Sequence, residues 1–226
     1  SIDIQSTSTL GAMEFLTNKK TQYDFWVVDT NRSDLYNLAI FVRFADDEEI
    51  GHSFQDVDDM FNKEEPDYNS VYNYYKESTY DKIHFHTVYA NQVQGGHIVS
   101  YATKHPRAYY QPYSPTNPIG YQGELPFKGI SMREAELIAE ILHAVDSMGL
   151  VDTYTMLDGN GDGLIDNISF IAKGDVEAWA TILWPHMEFF PQDSIDFPVM
   201  VNGIRPHAFN FEFEGSSTYF AARVFC

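Results

Sequence analysis

Between Met156 and Phe170 the chain reads M-L-D-G-N-G-D-G-L-I-D-N-I-S-F, with acidic or amide oxygens on alternate residues around glycines. Asp158, Asn160, Asp162, the backbone carbonyl of Leu164 and Asp166 stand at positions 1, 3, 5, 7 and 9 of an EF-hand-type calcium loop. Gly163 stands at position 6, where such a loop turns sharply, and Ile165 at position 8, the usual apolar anchor. Oxygen donors on alternate residues of a tight turn face inward together. Their like charges repel unless a cation or water sits among them. Position 12 is Ser169 and not a bidentate Glu, and no clear helix leads in, so the loop is expected to run into a strand. An all-oxygen donor set points to a structural Ca2+ and leaves little room for an activated water. The competing reading is a solvated acidic turn without an ion.

A second group of chemical interest is H-x-H at His84 and His86, two imidazoles on one face of a strand. With a third ligand they could hold zinc or copper. Neither C-x-x-C nor H-E-x-x-H accompanies them, so two surface or cross-strand histidines is the plainer reading. His186 reads as a core histidine, and His143 and His207 have no context that singles them out. G-x-S-x-G, Walker and dinucleotide signatures are missing from the sequence. Cys226 is the one cysteine, which rules out an internal disulfide and, with no base partner argued for it, a thiol nucleophile. The tyrosines between Tyr101 and Tyr121 could stack on sugars or peptides, or simply pack a long loop.

The elements that must position these groups follow from periodicity. Asn37 to Phe44 is a strand by its β-branched and aromatic content, and Asp24 to Thr30 is a half-buried candidate strand. Helices are expected over 56–62 and 70–77, the latter with Val71, Tyr74, Tyr75 and Ser78 on its face. In D-K-I-H-F-H-T-V-Y-A, Ile83, Phe85 and Thr87 alternate with His84, His86 and Val88, the mark of a strand. Residues 91–130, rich in Gly, Pro, Tyr and Asn, read as a long irregular loop. A helix over 132–148 follows, with Ser131 and Glu134 as a capping box and Ala135, Ile138, Ala139, Leu142 and Val145 in one stripe up to Gly149. Asn167 to Gly174 predicts a buried strand, and Ala180 to Met187 a strand leading into a turn. His207 to Gly215 alternates Phe209, Phe211 and Phe213 with Ala208, Asn210 and Glu212, which predicts a one-sided edge strand. A helix begins within 217–226.

The chain has 226 residues, 44% hydrophobic and 15% aromatic, which is globular composition with room for a sizeable core. Against 14 Lys and Arg stand 33 Asp and Glu, a net charge of −19 without a basic stripe, so nucleic acid is excluded as a partner. The longest apolar runs, Leu38–Val42 and Ile168–Ala172, are far short of the ~20 residues of a membrane span. The sequence opens with neither an initiator Met nor a signal-like apolar run and reads as a processed end. Residues 1–36 form a leading segment and 37–226 the domain proper.

Taken in order, N-L-A-I-F-V-R-F-A-D-D, S-V-Y-N-Y-Y-K-E-S-T-Y-D-K-I-H-F, R-E-A-E-L-I-A-E-I-L-H-A-V-D, D-G-N-G-D-G-L-I-D-N-I-S-F-I-A-K-G and I-L-W-P-H-M resemble the secreted zinc metallopeptidases of the immune inhibitor A type. The likeness spans about residues 37–190 and is most specific over Tyr74–Lys82 and Asp158–Asp166. One departure is Asp81, where the family commonly has Gly. The resemblance implies an α+β, zincin-like fold, with a twisted mixed sheet backed by helices. It also implies an edge strand along which substrate backbone lies, with His207 to Gly215 as the candidate. It further implies a secreted or cell-surface endopeptidase of bacterial type that hydrolyses protein or peptide substrate with a catalytic Zn2+, stiffened by structural Ca2+. The family's H-E-x-x-H would follow directly after Cys226, so no catalytic residue carries over. The chain would be inactive by itself, and its partner would be the C-terminal remainder of its own catalytic domain. The alternative function is a calcium-stabilised extracellular module that binds glycan or protein through the tyrosine-rich loop.

Overall fold

A computed structural model describes residues 34–123, 126–127, 130–175, 183–190 and 199–214. The chain divides after Arg32 into two units, Ser1–Arg32 and Ser33–Cys226, and every described residue belongs to the second. The strand expected over 24–30 and the helix expected within 217–226 lie outside the described residues.

The described chain runs β1 (Asp34–Arg43), α1 (Phe54–Asn62), α2 (Val71–Ser78), β2 (His84–Tyr89), then a ribbon of β3 (Val93–Gln94) and β4 (His97–Ile98), and β5 (Tyr101–Ala102). After a 3-10 turn over Arg107–Tyr110 come β6 (Pro126–Phe127), β7 (Ile130–Ser131) and α3 (Met132–Ser147). The last part holds β8 (Leu164–Ile165), β9 (Asn167–Ala172), β10 (His186–Phe189), β11 (Arg205–Pro206) and β12 (Ala208–Phe213). The fold is α+β, built on one mixed sheet ordered β10-β12-β9-β1-β2, with β5 extending β1. All neighbours in it pair in parallel except β10, which is antiparallel to β12.

Parallel pairing of β1 with β2 requires a crossover, which α1 and α2 provide. Leu38 to Val42 and all of β9 are buried on both faces, which explains their unbroken apolar runs. One face presents Leu38, Ile40, Ile168, Phe170, Phe209 and Phe211 to the Leu137–Ile138–Ile141–Leu142 stripe of α3. The other presents Ala39, Phe41, Phe85 and Ile171 to Val57 and Phe61 of α1 and Val71 of α2. Each side chain so buried contributes about 1.5–3 kcal/mol by leaving water.

Local chemistry marks the ends of the helices. Ser53 caps α1 by accepting the Asp56 N–H at 3.1 Å, and Ser70 caps α2 by accepting that of Asn73 at 3.0 Å; such a cap contributes ~1 kcal/mol. The buried residues of α2 are Val71, Tyr72 and Asn73, so the face expected to run through Tyr74 and Tyr75 turns partly to solvent. Helix α3 stops as expected at Gly149, which takes φ +60° while Leu150 N–H reaches back to the Val145 carbonyl. Past α2 the chain turns through two left-handed residues, Tyr80 at φ +55° and Asp81 at φ +62°. Asp81 holds a conformation that suits glycine, at a cost of about 1 kcal/mol.

The strand over 208–213 is not an edge strand. It lies between β10 and β9, and every one of its residues is buried. Its polar positions belong to a side-chain ladder across the sheet. Asn210 donates to Asn167 at 3.1 Å, Asn167 donates to Asn37 at 2.7 Å, Ser169 donates to Asn37 at 2.9 Å, and Asn37 donates to Thr87 at 3.3 Å. The edge position falls to β10, which is the last strand of the sheet among the described residues.

Glu212, next on that face, is 2% exposed, and its Oε1 has no partner among the described residues; burial pushes its pKa from the usual 4.5 up to about 8. A carboxyl so raised favours the fold below pH 4.5 and loses that advantage as pH climbs towards 8. Urea unfolding of Glu212→Gln should therefore match the parent chain at pH 4 and exceed it in stability at pH 9.

Candidate functional site

The acidic loop sits against the start of β1. Asp158 Oδ1 accepts the N–H groups of Gly161 and Asp162 at 2.6 and 3.1 Å, and Asp158 Oδ2 accepts that of Gly163 at 3.0 Å. Gly161 and Gly163 take φ +75° and +87°, so the sharp turn expected at Gly163 is present. Asn160 Oδ1 accepts from Asp162 N, Asn160 Nδ2 donates to Asp162 Oδ2 at 3.1 Å, and Asp162 Oδ1 accepts from Leu164 N. As expected, the loop runs into strands, with Leu164 and Ile165 in β8 paired to β11 and Ile165 fully buried. The carboxylates of Asp158, Asp162 and Asp166 do not gather within 4.8 Å of one another as a set.

Asp166 ties this loop to β1. Its Oδ2 accepts the N–H of Tyr36 at 2.8 Å and that of Gly159 at 2.9 Å, while its Oδ1 is buried with no hydrogen-bond partner among the described residues. Burial raises its pKa to about 6, with Asp158 and Asp162 pushing the same way and the two N–H bonds opposing. Gly159 is required here, because a Cβ would run into the Asp34 carbonyl oxygen. His207, which nothing in the sequence distinguished, lies near this loop; burial lowers its pKa while the charge of Asp162 opposes.

His84 and His86 do share one strand face, and the parallel register sets Asp34 opposite His84 and Tyr36 opposite His86. Asp34 Oδ1 lies 3.1 Å from His86 Nε2 and 3.7 Å from His84 Nδ1. Among the described residues, Asp34, His84 and His86 are the one group of three whose ligand atoms fall within 4.8 Å of one another. Asp34 escaped the sequence reading because it precedes the strand expected from Asn37. The pairing of β1 with β2 was the missing signal.

A third pair links the start of α3 to the edge strand. His186 Nε2 lies 3.0 Å from Glu134 Oε1, both side chains are nearly buried, and His186 Nδ1 lies 2.6 Å from the Trp184 carbonyl. Burial works against the charged imidazole, but the Glu134 carboxylate outweighs it and the His186 pKa is raised. His186 is thus a core histidine, as expected, with a buried charge for a partner. On the opposite face a cavity of about 400 Å³ lies between α1 and the sheet, lined by Phe41, His52, Asp59, Phe61, Ile171 and Glu214 among others.

The tyrosine-rich stretch is largely spent on packing. Tyr110 is buried, Tyr109 lies between His105 at 4.0 Å and the Arg133 guanidinium at 3.9 Å, and the Tyr101 hydroxyl donates to Glu140. Among the described residues no helix is long and apolar enough to cross a membrane. Compared with known proteins, the sequence matches no family model and no curated relative.

The His186–Glu134 pair carries a pH signature. A histidine whose pKa is raised by folding stabilises fully below its ordinary value near 6.5, and the gain disappears as pH rises through the folded value. Replacing His186 by Phe should flatten the fall in unfolding free energy measured from pH 6 upward. Glu134→Gln should destabilise more at about pH 6, where the imidazole is charged, than at about pH 9, where it is not.

Proposed function

We propose that this chain is the sheet-bearing part of the catalytic domain of a secreted zinc-dependent endopeptidase of zincin type, stiffened by one structural Ca2+. The observation that carries the reading is β10. An antiparallel strand that ends the sheet among the described residues, directly after Trp184-Pro185, supports strand addition by an extended substrate. Backbone N–H and C=O groups along such an edge hold a peptide whatever its sequence, and side pockets then select residues. The Glu134–His186 pair supports the reading by anchoring the first residue of that edge to the long helix behind it. The parallel strands and the helices on their faces agree with the mixed, helix-backed sheet that the resemblance implies.

Calcium fits the acidic loop by donor chemistry and by the buried Asp166 Oδ1, which lacks a hydrogen-bond partner among the described residues and suits a hard cation. Asp158, Asn160, Asp162, the Leu164 carbonyl and Asp166 would hold the ion, which would supply positive charge to neutralise the carboxylates. Through Asp166 and the Tyr36 N–H, the loop then braces the start of β1. The catalytic zinc finds no such fit, because the sequence contains no H-E-x-x-H. No hydrolytic step is therefore assigned to residues of this chain.

Two measurements test the proposal. Saturating calcium, at about a hundredfold over Kd, is worth ~2.7 kcal/mol and should raise Tm by roughly 5–10 °C. Asp158→Asn with Asp162→Asn should abolish the rise, and a Tm indifferent to calcium removes the ion from the reading. The 226-residue chain should leave casein intact, whereas the product of its whole reading frame should cleave casein in an EDTA-sensitive manner. An inactive whole product overturns the peptidase assignment.

A further inference from the structure

We propose that Asp34, His84 and His86 form a binding site for a divalent transition metal, with Zn2+ the best-suited ion, at the rim of the sheet where β1 meets β2. Two imidazole nitrogens and one carboxylate oxygen are a borderline-soft donor set that suits zinc over calcium or magnesium. Donors bound tetrahedrally at about 2.1 Å stand ~3.4 Å apart. The two measured separations from Asp34 Oδ1, 3.1 Å to His86 Nε2 and 3.7 Å to His84 Nδ1, bracket that value.

The surroundings orient these ligands. His84 turns its other nitrogen, Nε2, to Asp81 Oδ1 at 3.1 Å. A carboxylate behind a ligating imidazole holds the proton on the far nitrogen and aims the lone pair of Nδ1 at the metal. Asp81 reaches this place from a left-handed backbone, φ +62°. Tyr36 stacks on His86 at 5.4 Å, and the Tyr72 ring lies 5.7 Å from His84 and 5.5 Å from His86, so His86 has an aromatic neighbour in each of Tyr36 and Tyr72 and His84 packs on Tyr72. The Asp34 side chain is half exposed and that of His86 about a third, which gives an ion a way in and leaves room for water to complete the coordination.

A zinc ion among these three donors would clip the first residue of β1 to β2. The acidic surroundings, at net charge −19, raise the local concentration of any cation. The inference does not rest on the peptidase reading, since all its ligands are present in this chain.

The test is calorimetric titration of the metal-stripped 226-residue chain with zinc chloride, under saturating calcium so that the acidic loop does not compete. One tight equivalent is expected, absent from His84→Ala/His86→Ala and weakened about 10–100-fold in Asp81→Asn. Zinc X-ray absorption on the unmutated chain should show two imidazoles per zinc, and this reading holds even if a variant fails to fold. Equal zinc uptake by the parent chain and the double variant overturns the proposal. So does a zinc shell without two imidazoles, or no tight equivalent at all, which leaves a hydrogen-bonded cluster only.

Discussion

Asn37 is the residue on which the alignment of the sheet depends. Buried on β1 between β9 and β2, it accepts from Asn167 and Ser169 on one side and donates to Thr87 on the other. Apolar contacts across parallel strands tolerate a slip of two residues better than amide hydrogen bonds do. A slip here would strand several buried amides without partners, at roughly 1–3 kcal/mol each. The pairing of Asn37 with Asn167 and with Thr87 therefore sets β9, β1 and β2 against one another. From that alignment follow the two apolar faces, the seating of α3 on one and of α1 and α2 on the other, and the meeting of Asp34 with His84.

The groups able to do chemistry lie at the margins of this scaffold, where solvent can still reach charge. The acidic loop braces the start of β1 through Asp166, and the Glu134–His186 pair braces the start of β10 from behind. Side-chain amides complete the backbone pairing where strands give out. Asn91 exchanges two hydrogen bonds with Phe41 beyond the end of β2, and Asn62 does the same with Thr87 along its outer edge. On its β2 side the sheet thus ends in satisfied polar groups, which suits a rim that carries ligands.

Much of this was legible in the residues themselves. The continuous apolar runs of β1 and β9, the stripe of α3 with its Gly149 stop, the alternation around His84 and His86, and the turn at Gly163 all lie where local chemistry put them. What escaped depended on contacts between distant segments. The Phe209–Phe211–Phe213 alternation implied a strand with one wet face, yet Asn210 and Glu212 are as buried as the phenylalanines, because Asn167 gives the amide a partner. Burial of polar groups cannot be told from exposure until the partner is known. Asp34 was passed over for the same reason, since its role exists only through the pairing of two strands separated by two helices. The stretch from 91 to 130 looked structureless because its ribbons are two residues long.

The turn at Tyr80 and Asp81 has a consequence for anyone who would engineer this chain. Glycine at 81 would relax the backbone, and a stability screen would select it. The same exchange would leave the His84 ring without the carboxylate that orients it. Robustness and ligand geometry ask for different residues at this position, so a variant improved for shelf life would be the wrong starting point for studying what the histidines hold.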